Sequence, residues 1–171
     1  MIASPHPAAQ VLYLRASMYP LWTQLELTGK IASSEMPEGF GTLEEADQPW
    51  VDELDREVRG IARPQDHVLW RANAEGLALR REGQPVGYAY VWPDGKIGPG
   101  AVKDPTDTPS VIAAARSRAE GSMTVAVPST NWTALRELTR EGFVPSGSNT
   151  FMSSRPLPDA SRYLSSGGAL A

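Results

Sequence analysis

Residues 87–155, GYAYVWPDGKIGPGAVKDPTDTPSVIAAARSRAEGSMTVAVPSTNWTALRELTREGFVPSGSNTFMSSR, decide the fold. Val86 to Trp92 reads as a strand, Asp94-Gly95 as a hairpin turn, and Lys96 to Val102 as the returning strand. Just upstream, Gly76 to Arg81 is a strand and Glu82-Gly83 its turn, so three strands form an antiparallel meander. Thr108 then caps a helix with Pro109 at its first position, running through Val111, Ile112 and Ala115. Met123 to Val127 is short and apolar, which fits a buried parallel strand. Ser129 or Thr130 caps a second helix that buries Ala134, Leu135 and Leu138. Phe143 to Ser154 is expected to close the sheet as a hairpin turning near Gly147 or Asn149, and the Ser-Ser-Gly-Gly tail is expected to be mobile. The sum is an α/β (α+β) chain: an antiparallel meander followed by β-α-β-α-β, in one mixed sheet.

Toward the N-terminus, Ala8 to Met18 has helical spacing and Leu21 to Leu27 alternates loosely like a strand. Gly29 to Phe40 reads as a linker. Asp47 caps a helix with Pro49 in its first turn and Trp50, Val51, Leu54, Val58 and Ile61 on its apolar face, ended by Gly60 and Pro64. Asp52, Glu53, Asp55 and Glu57 of that helix read as a solvated face. The chain also echoes itself. Ala9 to Tyr13 and Ser17-Met18 parallel Ala134 to Leu138 and Gly142-Phe143 at an offset of 125 positions, with only the alanine identical.

Composition narrows the chemistry. A chain of 171 residues is long enough for one domain with a real core, and 41% hydrophobic with 21% charged residues is an ordinary globular balance. A net charge of −4 argues against nucleic acid and against anionic membrane surfaces. There is no cysteine, which removes disulfides, thiolate metal sites and a cysteine nucleophile; two histidines make a multi-histidine metal site a poor fit. No run approaches the roughly 20 apolar residues of a membrane span. Met1 to Gln10 lacks a basic segment leading into an apolar one, so no signal peptide is read and the cytoplasm is the expected compartment.

The order of these elements, with Asn131-Trp132-Thr133-Ala134 opening a helix that ends in Glu141-Gly142-Phe143, resembles the core of a GNAT-type N-acetyltransferase. The resemblance is strongest from Arg63 to Tyr163. With the internal echo, it reads as the C-terminal repeat of a tandem GNAT protein: residues 1–30 a helix-plus-strand remnant of a first repeat, residues 31–171 a GNAT-like domain with a short flexible tail. It implies a splayed acyl-CoA-type cleft between Lys96–Val102 and Met123–Val127, and acetyl-CoA as the cofactor, without metal.

The resemblance also assigns site positions. A bulge at Ile97, Gly98, Pro99 and Gly100 would open the acetyl-binding site, Lys103, Thr108 and Ser110 would face the diphosphate, and Asn131 would either orient the cofactor or simply cap its helix. Tyr88 and Tyr90, on one strand face, would line an acceptor pocket or pack in the core. Two departures stand out. The loop Lys103-Asp104-Pro105-Thr106-Asp107-Thr108-Pro109-Ser110 lacks the family's paired glycines, places two carboxylates where diphosphate would lie, and loses two N–H donors to proline. The family's proton-donating Tyr is Leu138 here, which has no proton to give. No catalytic base is identifiable.

Two functions follow. One is an acyl-CoA-dependent N-acetyltransferase acting on a small-molecule or protein amine. The other is a catalytically degenerate GNAT-like module acting in ligand binding, dimerisation or partner interaction. Asp66-His67 reads as structural. The apolar segment 8–27 is expected to be ordered and packed, either on its own domain or, preferentially, against the same segment of a second chain as a homodimer.

Overall fold

A computed structural model describes residues 2–3, 6–31 and 35–165. Among the described residues nine strands form one mixed sheet. In chain order they are β1 (Ile2–Ala3), β2 (Tyr19–Lys30), β3 (Phe40–Thr42), β4 (Glu75–Arg81), β5 (Gln84–Val91), β6 (Lys96–Val102), β7 (Ser122–Pro128), β8 (Val144–Ser153) and β9 (Tyr163–Leu164). The helices are α1 (Pro7–Arg15), α2 (Gln48–Arg59), α3 (Pro64–Asn73), α4 (Thr108–Arg118) and α5 (Trp132–Arg140). The sheet runs β1-β8-β2-β7-β6-β5-β4-β3, with β9 paired to β6.

The meander β4–β5–β6 forms where local signals place it. Its first turn uses left-handed Glu82 and Gly83 (φ 51° and 78°), and Gly95 (φ 80°) closes the second. At Gly95 a side chain would also strike the Ser122 carbonyl oxygen at 2.2 Å. After β6, α4 crosses over one face and returns the chain as β7, parallel to β6.

Two apolar layers sandwich the sheet. Leu77, Leu79, Ala89, Ile97, Val102 and Val125 pack with α4 and α5 on one face. Ala78, Tyr88, Tyr90 and Ala101 pack with α2 and α3 on the other. Along β6 the parity of these contacts flips, with Ile97 and Val102 on the same face although five residues apart. The cause is the expected bulge. Between the pairs Ala89↔Gly100 and Val91↔Ile97, β6 carries one residue more than β5.

Several expectations need correction. Val144–Ser153 is one long strand and not a hairpin; its partner across the ladder is β2, from the N-terminal segment. Asn131, and neither Ser129 nor Thr130, caps α5. Strand β2 runs on to Lys30 and edge strand β3 starts at Phe40, so both ends of the expected linker belong to strands, and α3 lies where no element is expected. The expectation that segment 8–27 is ordered holds. Its preferred intermolecular pairing does not hold for the strand, because β2 is hydrogen-bonded on one edge to β7 and on the other to β8 of its own chain. The expected mobile tail lies outside the described residues except for Ser165, which is buried and bridged to Ala126.

Candidate functional site

β6 and β7 pair at only two positions, Lys96↔Thr124 and Ile97↔Val125. Past the bulge they diverge, and the interval between them is filled by the chain itself. β9 pairs antiparallel with β6, Gly100 facing Leu164 and Ala101 facing Tyr163. On its other side the Ser165 N–H donates to the Ala126 carbonyl at 2.8 Å. Residues 163–165 therefore act as a short intervening strand, and Tyr163, Leu164 and Ser165 are all buried. The space bordered by Gly100, Thr108, Val111, Asn131, Arg162 and Leu164 leaves no room for a water molecule.

Three side chains lock this segment. Asn131, itself buried, accepts from the Ala134 N–H at 3.0 Å as the α5 cap, and its Nδ2 donates to the Tyr163 carbonyl at 3.0 Å. The Ser165 hydroxyl donates to Gln24 Oε1 at 2.9 Å. Arg59 donates to the Tyr163 hydroxyl at 2.7 Å and also lies 4.8 Å above the ring centroid.

The structure brings together most of the residues expected to face a cofactor, but in a closed arrangement. Ile97, Gly98 and Gly100 are buried in the bulge, where the Gly98 carbonyl accepts from Trp92 Nε1 at 2.6 Å. Thr108 is buried at the start of α4, while Ser110 is half-buried and Lys103 exposed. The two loop carboxylates differ from the simple repulsive picture. Asp107 accepts two bonds from Arg81, at 2.8 and 2.9 Å, so its charge is paired. Asp104 is exposed and accepts from the Thr106 N–H and hydroxyl, which hold its carboxyl below the ordinary value. Arg162 reaches the same loop and donates to the Lys103 carbonyl at 2.9 Å.

Tyr88 and Tyr90 are fully buried, so neither ring borders an opening. They belong to a polar cluster beneath α2 and α3. Tyr88 donates to Asp55 Oδ1 at 2.5 Å, and Arg63 Nε donates to Asp55 Oδ2 at 3.0 Å. His67 lies 3.2 Å from Asp55 through Nε2 and 2.9 Å from the Tyr90 hydroxyl through Nδ1. Burial alone would push the Asp55 carboxyl up, but the bonds from His67, Arg63 and Tyr88 and the Arg63 charge outweigh it and hold it low. Burial pushes Tyr90 up to about 12, and raises Tyr88 well above its ordinary value. Neither guanidinium NH2 group of Arg63 has a hydrogen-bond partner among the described residues; the group stacks 4.6 Å from the Trp70 ring centroid and 5.7 Å from that of Tyr163.

Asp55 is the residue the sequence reading misplaced. It was grouped with a solvated face, yet it is fully buried with Val51, Leu54 and Val58. The signal was present, because 51, 54, 55 and 58 are one helical stripe. His67 finds its carboxylate in Asp55 rather than in neighbouring Asp66, which is exposed. Leu138, at the position of the family's proton donor, is fully buried core. Tyr13 lies on α1 beside β1, which the sheet order separates from β6 by three strands. Among the described residues no group of three His, Cys, Asp or Glu side chains could hold a metal ion, and no helix is long and apolar enough to cross a membrane.

Thr108, expected as a cap, is instead the first residue of α4, whose N-cap position is Asp107. A sheet with a parallel pair splayed past a bulge, and a helix crossing between the pair, defines an N-acetyltransferase-type domain. The chain belongs to the acetyltransferase (GNAT) domain family, whose match spans residues 51–164. Members of this family typically use acetyl-CoA and acetylate amines. Its fold is similar to that of a Pyrococcus horikoshii protein classed as a candidate acetyltransferase, at 18% identity and a TM-score of 0.77, covering 95% of this chain and 56% of that one. A Drosophila protein is similar at 16% identity and a TM-score of 0.66, covering 93% and 60%. A GCN5-related N-acetyltransferase from Sphaerobacter thermophilus is similar at 17% identity and a TM-score of 0.54, covering 94% and 61%. The chain thus spans less than two thirds of the length of each. No curated protein sequence matches it.

Proposed function

We propose that this chain is a GNAT-fold module that does not turn over acetyl-CoA in its own cleft and acts by binding a partner. One observation carries this reading: residues 163–165 occupy the interval between β6 and β7, where the family resemblance places the pantetheine arm. An extended cofactor arm needs free strand-edge groups to pair with. Here the edges at Gly100–Ala101 and at Ala126 are satisfied by the chain itself. The missing proton donor at Leu138 and the exposed carboxylate of Asp104 beside α4 point the same way.

Calorimetric titration with acetyl-CoA tests it. The full chain is expected to give no binding up to about millimolar ligand, and a chain ending at Arg162 is expected to gain affinity. Low-micromolar binding by the full chain would sink the proposal.

One feature favours a second reading, acetyl transfer to a small-molecule or protein amine. The segment closing the cleft is short, with two ladder pairs to β6. If it withdrew, the N-terminus of α4 would offer free N–H groups to a diphosphate. The amine nitrogen would then attack the thioester carbonyl, the C–S bond would break, and the thiolate would collect the proton that the amine releases. Acetylation of an amine panel by the chain ending at Arg162, but not by the full chain, would favour this reading.

A further inference from the structure

The echo at an offset of 125 positions is also a structural repeat of a helix, its closing turn and the strand that follows. α1 spans Pro7–Arg15 and α5 spans Trp132–Arg140, with every boundary shifted by the same 125. Each has its cap one residue before, His6 accepting from the Ala8 N–H and Asn131 from the Ala134 N–H. Each ends in a left-handed residue, Ser17 (φ 58°) and Gly142 (φ 84°). The same backbone closure follows, Met18 N–H to the Tyr13 carbonyl at 3.0 Å and Phe143 N–H to the Leu138 carbonyl at 2.9 Å. β2 and β8 then begin at equivalent residues, Tyr19 and Val144.

The two copies are also arranged symmetrically. β2 and β8 pair antiparallel with Gln24 opposite Asn149, residues that are themselves equivalent. On either side the pairs Trp22↔Phe151 and Glu26↔Gly147 are images of each other under the same offset. A local two-fold axis therefore passes through the Gln24–Asn149 pair. On its other edge β2 pairs with β7, and the two-fold image of β7 should flank β8. β1 does flank β8. Its residues Ile2 and Ala3 are equivalent to Val127 and Pro128 of β7, and their pairing with Phe151 and Thr150 lies within one residue of the symmetric register.

Among the described residues the first copy comprises β1, α1 and β2, and the outer side of α1 is exposed. α5 buries Ala134 and Leu138 beside α4. Among the described residues nothing plays the part of α4 for α1, which has no buried residue. Leu12 is 65% exposed, whereas the side chain of Glu137, whose position it repeats, is 17% exposed. Val11 and Leu14, each 45% exposed, lie on the other side of α1, at the positions that exposed Arg136 and Thr139 hold in α5.

We propose that α1 and the outer edge of β1 form a docking site for a second GNAT-fold unit, one that stops short of its own last helix and strand and is completed by α1 and β2. The partner would set a parallel strand against β1, as β6 lies against β7, and a helix against Ala9, Leu12 and Tyr13, as α4 lies against α5. The similar chains from Pyrococcus, Drosophila and Sphaerobacter are long enough to hold such a unit beside the part that matches. The inference rests on reading this chain as a partner-binding module. Its test reads α1 and not the cleft, so either can fail alone.

The repeat supplies the probe. Residue 126 is equivalent to Met1, so a second copy of residues 31–125 joined directly ahead of Met1 recreates the body of the first unit on the intact chain. Hydrogen exchange at the α1 amides should slow by about tenfold or more against the 171-residue chain, in a protein that light scattering finds monomeric. Unchanged exchange at α1 overturns the proposal. So does a 171-residue chain that is already a dimer with α1 protected, because a second copy would then cover this face. A companion protein with Gln10→Leu and Tyr13→Leu gives α1 the residues that α5 carries at these positions. Protection only in that companion, or in neither protein, also overturns the proposal.

Discussion

Asn131 joins two parts of the fold, capping α5 with its oxygen and holding the Tyr163 carbonyl with its nitrogen, each bond 3.0 Å long. The residue that the family resemblance associates with the cofactor is here committed to the strand that fills the interval between β6 and β7. The variants separate the two duties. Asn131→Ala loses both and should cost about 2–4 kcal/mol, the sum of a lost cap and a buried carbonyl left without a donor. Asn131→Ser, neutral and a good cap, keeps a cap oxygen but is too short to reach the Tyr163 carbonyl. It should retain more stability in urea melts yet exchange the Ser165 amide faster. Wild-type stability in both variants would show that neither bond matters.

Asp55 should be the most costly single charge to remove. It is fully buried and accepts from Arg63 and Tyr88, so Asp55→Asn leaves the Arg63 charge buried without its counter-ion, at a cost of about 3–5 kcal/mol. Its folded pKa lies below the unfolded 3.8, so its stabilisation is complete above about pH 4 and is lost as pH falls through the folded value. Denaturant midpoints measured against pH should therefore drop on the acid side in the wild type and fall less steeply in Asp55→Asn. Parallel acid limbs would contradict the assignment.

Tyr88 and Tyr90 should titrate above the ordinary tyrosine value. Burial holds Tyr90 near 12 and Tyr88 well above the ordinary 10. For a group that is neutral when protonated, a raised value stabilises the fold below the unfolded pKa and ceases to do so as pH rises past the folded one. Ultraviolet absorbance should show Tyr90 ionising near 12 and Tyr88 well above its ordinary value, together with alkaline unfolding. Ionisation of either of these two near 10 in the folded protein would refute its burial.

Gly29 lies under the Phe143 ring, and an added Cβ would sit 2.6 Å from the nearest ring carbon. Phe143 is buried core at the step from α5 into β8. Gly29→Ala should destabilise by about 1–3 kcal/mol through overpacking, read as a lower thermal midpoint. Gly83→Ala makes a useful contrast: nothing lies within 4 Å, so its cost comes from the positive φ alone.

Deleting residues 1–28 should abolish cooperative folding rather than merely change assembly. β2 lies between β7 and β8, and its loss strands both ladders and the Trp22–Phe151 stack at 4.4 Å. A circular-dichroism melt that keeps its wild-type midpoint after the deletion would show that the remaining chain closes its sheet another way.

The sequence by itself determined the elements whose signals are local. The turns at Glu82-Gly83 and Asp94-Gly95, the bulge around Gly98 and the prolines opening α2 and α4 each act within a few residues, so β4, β5, β6 and α4 are legible from spacing and turn chemistry alone. The offset repeat was legible too, because it needs only the chain compared with itself. Helix α3 and edge strand β3 were not: α3 buries only His67 and Trp70 and so carries little apolar periodicity, and β3 is three residues long. Only the tertiary structure decided that β2 lies beside β8, that Asp55 is buried, and that residues 163–165 enter the interval between β6 and β7. Partners in a ladder 120 residues apart leave no mark in local periodicity, because any alternating strand offers the same row of N–H and C=O groups. The choice among them is made by which apolar faces close together, which is a property of the packed sheet as a whole.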